Sequence, residues 1–104
     1  MNKYYAVMYH DEDNVNWILV EDAQPVVVPG WEEYEFFVHR GIYPFTKEYW
    51  FVTEPHTGMK MSGGCSTKEY AIDSIIDNCT YWTKDRMDKF ILERELITVS
   101  PRYR

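Results

Sequence analysis

Between Lys47 and Cys79 the chain places, in order, an aromatic and β-branched run, a proline-to-glycine turn, an alternating run, a glycine pair and a stretch of three- and four-residue apolar spacing. No other feature constrains the fold as much. Tyr49-Trp50-Phe51-Val52-Thr53 reads as a strand, because aromatic and β-branched side chains suit a half-buried pleated surface. Pro55-His56-Thr57-Gly58 reads as a turn, with Pro presetting φ and Gly accepting a positive φ. Met59-Lys60-Met61-Ser62 alternates apolar and polar and returns as the second strand of a hairpin, which Gly63-Gly64 ends. Ser66-Thr67-Lys68-Glu69 then matches a capping box, with Ser66 as N-cap and Glu69 reaching back to its amide. Ala71, Ile72, Ile75, Ile76 and Cys79 form an apolar stripe that can lie across the sheet, while Asp73 and Asp77 fall on the other side.

The flanks extend this unit in both directions. Tyr4 to Tyr9 and Val15 to Val20 read as two strands joined by the polar turn His10 to Asn14. Gln24 to Gly30 is bounded by prolines, so any strand there is short and at an edge, since Pro cannot donate to a ladder. Tyr34 to His39 is a further strand, although Trp31 to Glu35 can begin as a helical turn. Helix propensity falls across Asn78 to Thr83, which predicts a break or kink with Thr83 capping a second helix. Leu96-Ile97-Thr98-Val99 reads as a short terminal strand. With 104 residues and no repeat or linker, the expectation is one α+β domain spanning 1–104. Its sheet is mostly antiparallel and is packed on one face by a C-terminal helix or kinked helix pair.

Charge is distributed unevenly. Eleven basic against 17 acidic side chains give a net of −6. Residues 1–52 hold three bases and nine acids, which accounts for all of it, whereas residues 53–104 balance at eight and eight. Direct binding to nucleic acid is disfavoured, because phosphate neutralisation needs a basic footprint. A basic protein partner is favoured. No segment carries an apolar run fit for a secretory signal or a membrane span. The expected location is the cytoplasm, where Cys65 and Cys79 remain free thiols held apart by the intervening helix.

Phe36-Phe37-Val38-His39-Arg40, then Trp50-x-Val52-Thr53-Glu54-Pro55-x-Thr57-Gly58-Met59, then Gly64-x-Ser66 and Ala71-Ile72 together resemble a strand–hairpin–helix pattern found in small, mostly uncharacterised proteins of phages and mobile elements. The matching residues build turns, caps and core, so the resemblance implies a mobile-element setting and transfers no functional residue.

Catalytic and metal signatures are missing from the sequence. There is no Cys-x-x-Cys pair and no His-Glu-x-x-His helix. Asp11-x-Asp13 starts like a calcium loop, but Val15 and Asn16 stand at the next ligand and the glycine positions. Gly58 to Gly63 has P-loop glycine spacing, yet Gly64-Cys65 replaces the required Lys-Ser/Thr. No cofactor or metal is therefore expected. The reading that remains is a small acidic, non-enzymatic protein-binding module. In its concrete form it is an inhibitor of a host nucleic-acid-binding factor, with carboxylates in the places of phosphates. Its candidate surface is Asp11, Glu12, Asp13, Glu32, Glu33 and Glu35, with Trp31 and Tyr34 as aromatic anchors. Two alternatives stand beside it. One is an enzyme or enzyme subunit using Cys65 with His56, or a carboxylate site. The other is a structural subunit that pairs as a homodimer through an aromatic face.

Overall fold

The structure is a computed structural model that describes residues 3–10, 15–41 and 47–104. It is an α+β domain with two antiparallel sheets and two helices. β1 (Tyr5–His10) and β2 (Val15–Leu19) form a two-stranded ribbon in which Tyr5 opposes Leu19 and Val7 opposes Trp17. β3 (Gln24–Val26), β4 (Phe36–Arg40), β5 (Trp50–Glu54) and β6 (Met59–Cys65) make a four-stranded sheet in that spatial order. α1 (Lys68–Cys79) and α2 (Lys84–Glu95) follow, and a single 3₁₀ turn (Pro101–Tyr103) closes the described chain.

Alternation along β4 and β5 sorts two cores. Phe36, Val38 and Val52 pack with Ala71, Ile75 and Cys79 of α1 and Met87 of α2. Phe37, on the opposite face of β4, packs with Tyr4, Ala6 and Val20 from the N-terminal ribbon. The four-stranded sheet is thus covered on both faces at β4, which explains why Phe36 to His39 are all buried. His39 is accommodated there as a neutral ring. Its Nδ1 donates to the Arg40 carbonyl at 2.7 Å and its Nε2 accepts from the Thr53 hydroxyl at 2.6 Å. Both open edges of the sheet are blunted. β3 carries Pro25, and the Asn78 side-chain amide occupies the Met61 carbonyl of β6 at 3.1 Å.

The predicted break between the helices lies at residues 80–83, and the Thr83 hydroxyl accepts the Arg86 N–H as N-cap of α2. Three local expectations need correction. The N-cap of α1 is Thr67, not Ser66: its hydroxyl accepts from the Tyr70 amide at 3.1 Å. The cause lies upstream, because β6 does not stop at Gly63-Gly64 but runs through to Cys65 and delays the helix. A β-carbon on Gly63 would lie 2.0 Å from Phe51 Cδ1, so the absent side chain is what lets the strand pass that ring. Leu96 to Val99 form no strand. The Leu96, Ile97 and Thr98 amides bond back to Leu92 and Arg94 carbonyls, ending α2, and Leu96 is left 83% exposed.

Candidate protein-binding surface

Asp11, Glu12 and Asp13 lie outside the described residues. The second acidic cluster, Glu32, Glu33 and Glu35, is exposed and sits on the irregular segment that leads into β4. Gly30 (φ +83) and the turn bonds Trp31 N–H to Val28 O and Tyr34 N–H to Trp31 O shape this segment as successive turns. Its polar groups are engaged within the chain. Glu32 accepts the Gly30 N–H at 2.6 Å, Glu33 pairs with Lys84 at 2.8 Å, and Glu35 pairs with Arg102 at 3.0 Å. Lys84 holds the Glu33 carboxyl below its usual range. Tyr34 donates its hydroxyl to Asp88 at 2.5 Å, and burial, reinforced by Asp88, pushes that phenol well above its ordinary value. Trp31 is only 7% exposed and belongs to the main core, with the Lys84 ammonium 5.9 Å over its ring. The segment is therefore a junction tying β4 to α2 and to the C-terminal turn, and Trp31 is not available as an exposed anchor.

Cys65 and His56 are not brought together. His56 sits in the turn joining β5 to β6 and Cys65 at the far end of β6, a separation on the order of 20 Å for six strand residues. The His56 ring belongs instead to a buried-carboxylate network. Glu54, the last residue of β5, is 1% exposed. Its Oε2 accepts the His56 amide and the His56 Nδ1–H, each at 2.9 Å, and its Oε1 accepts the Thr57 amide at 2.7 Å. The outer face of His56 stacks on Tyr103 at 4.1 Å and 5°. Tyr103 in turn donates its hydroxyl to Glu35, and Arg102 reaches Glu35 and the Lys3 carbonyl while lying over Tyr4. Burial pushes the Tyr103 phenol up to about 12. Sequence reasoning missed Glu54, since nothing local distinguishes a strand-end glutamate that turns inward from one that faces water.

His56 and His39 give stability opposite dependences on pH. The hydrogen bond to Glu54 raises the His56 pKa above its ordinary 6.5, assisted by the charges of Glu54, Glu95 and Glu35. Its contribution is complete below pH 6.5 and is lost as pH rises through the raised value. Burial lowers the His39 pKa from 6.5, so its contribution is complete above pH 6.5 and is lost as pH falls through the lowered value. Urea midpoints measured across this range are expected to decline on both sides of neutrality. In His56→Gln the alkaline decline disappears and the acid one remains; a profile unchanged by the substitution would remove His56 from this account.

The outward side of α1 presents a different picture. Glu69, Asp73 and Asp77 are exposed and spaced i, i+4, i+8, so they stack in one column opposite the buried Ala71, Ile75 and Cys79. None of the three makes an ion pair within the described residues. Beside them runs an open groove of about 520 Å³ lined by Cys65, Ser66, Tyr70, Asp73, Ser74 and Asp77. Tyr70 is 64% exposed, and Tyr81, just beyond the end of the helix, is 81% exposed. The regular spacing was the signal in the sequence that could have singled out this face.

Both cysteines are free, and burial pushes the Cys79 thiol up to about 11. Among the described residues no three His, Cys, Asp or Glu side chains converge as a metal ligand set. None of their helices is long and apolar enough to cross a membrane. Comparison with protein-family models, with curated proteins and with solved structures returns no match.

Proposed function

We propose that this chain is a non-enzymatic module that binds a basic protein partner, and that the outward side of α1 is its docking face. The column of unpaired carboxylates carries the reading, because beyond Glu69, which the helix N-terminus favours, it works against the helix that bears it. Like charges at i, i+4 each cost a helix about 0.2–0.5 kcal/mol. Asp77 also stands in the last turn, where no base offsets the negative end of the helix dipole. No ion pair within the described residues compensates Asp73 and Asp77, whereas a basic surface would, with Tyr70 and Tyr81 as exposed rings beside them. The phage and mobile-element resemblance supports the more specific form, an inhibitor of a host nucleic-acid-binding factor. Carboxylates recurring about every 6 Å along the helix axis would stand for a line of backbone phosphates.

The test compares wild type with Asp73→Lys/Asp77→Lys as bait in a nuclease-treated lysate of the source cell, at low and high salt. A basic protein retained by wild type at low salt, released by high salt and absent from the variant supports the proposal. Identical captures by both baits would overturn it. Asp77→Asn is expected to weaken capture while raising stability by about 0.3–1 kcal/mol, read from urea unfolding. A loss of stability would show that Asp77 has a structural partner.

A further inference from the structure

We propose that the cleft between β6 and the first turns of α2 binds a small apolar molecule bearing a carboxylate, with Arg86 taking the charged end. The site is separate from the outward side of α1 and does not rest on that reading. The cleft has a volume of about 290 Å³ and is lined by Met61, Trp82, Arg86, Met87 and Phe90. That is near the lower end of the range for small-molecule sites, with room for one aromatic ring or a short alkyl chain. Two thioethers and two aromatic rings form an adaptable apolar wall, since Met side chains adjust to irregular shapes and contact rings favourably.

Arg86 is the only charged side chain among the described residues that line the cleft. It stands in the first turn of α2, where a cation opposes the helix dipole, so its position does not serve the helix. Its guanidinium makes no hydrogen bond or ion pair among the described residues. By contrast Arg40 lies over Trp50, Arg102 holds Glu35, and Arg104 donates to the Val99 carbonyl. A planar, permanently charged fork beside an apolar wall selects a carboxylate attached to an apolar body over either part alone.

The experiment is an amide chemical-shift titration of the full chain with 3-phenylpropionate, 3-phenylpropanol and acetate. For 3-phenylpropionate, saturable shifts are expected at Met61, Trp82, Arg86, Met87 and Phe90, with affinity about tenfold above that for the alcohol. Acetate should give no saturable shift. Arg86→Gln, an exposed substitution, should keep the remainder of the spectrum and abolish the preference for the acid, while Arg94→Gln keeps it. No saturable shift with 3-phenylpropionate, or equal affinity for acid and alcohol, would overturn the proposal. So would shifts centred elsewhere, or an Arg86→Gln variant that retains the preference.

Discussion

Replacing Glu54 by alanine is expected to lower the free energy of unfolding by about 2–5 kcal/mol, because its removal leaves buried and half-buried donors without their acceptor. The carboxylate is the shared acceptor for three donors, the amides of His56 and Thr57 and the His56 ring. Two of the three are backbone groups, so no apolar side chain at this position can spare them. They would remain buried or half-buried without an acceptor, and each such orphan costs about 1–3 kcal/mol. The turn would also lose its hold on the C-terminal segment, because His56 is the surface on which Tyr103 stacks. A domain of this size has about 5–15 kcal/mol in total, so the variant should unfold at much lower urea with an unchanged slope. Glu54→Gln should fall between, since one oxygen still accepts while the amide nitrogen faces a donor, and it should bring the His56 titration down towards its ordinary value. A loss below about 1 kcal/mol in Glu54→Ala would mean that the turn holds without its carboxylate, below even one orphaned donor.

Gly58→Ala should destabilise by about 2–5 kcal/mol, from two sources that can be separated. Gly58 has φ +67, where a β-carbon costs about 1–2 kcal/mol. That β-carbon would also lie 2.5 Å from Trp17 Cζ3 and 2.9 Å from both the Val7 amide nitrogen and Val7 Cγ2. Crowding of this kind adds about 1–3 kcal/mol. The Val7 amide cannot move away freely, because it donates to the Gly58 carbonyl at 2.9 Å. Gly64 is the internal control: its φ is +70, but a β-carbon there meets open space. Gly64→Ala should therefore show the conformational part alone. Equal losses in the two variants would show that the approach of β1 to this turn contributes nothing.

Both predictions centre on one turn, and its legibility was uneven. Pro55 and Gly58 announced it, and Gly58 does occupy the left-handed region. That Gly58 also touches Val7 and Trp17 depends on a ribbon some forty residues earlier in the chain. The acidic surface divides in the same way. Glu33 and Glu35 were visible as charges, but their partners, Lys84 and Arg102, lie 51 and 67 residues away. Trp31 among three glutamates looked like an exposed anchor, yet it belongs to the buried core cluster that also holds Val28, Phe36 and Met87.

One set of elements has signals that are local in the sequence. These are the hairpin around Pro55 to Gly58, the apolar stripe of α1, the edge position of β3 at Pro25, and the helix break that Thr83 caps. Each depends on backbone preferences or on side chains two to four residues apart, which the chain carries into any compact state. Which polar groups are buried, which charges are paired, where β6 ends and α1 begins, and that His56 faces Glu54 rather than Cys65 all follow from three-dimensional packing. Those outcomes depend on which distant surfaces are brought within a few ångströms, and desolvation and pairing energies vary with that distance far more steeply than with position in the sequence.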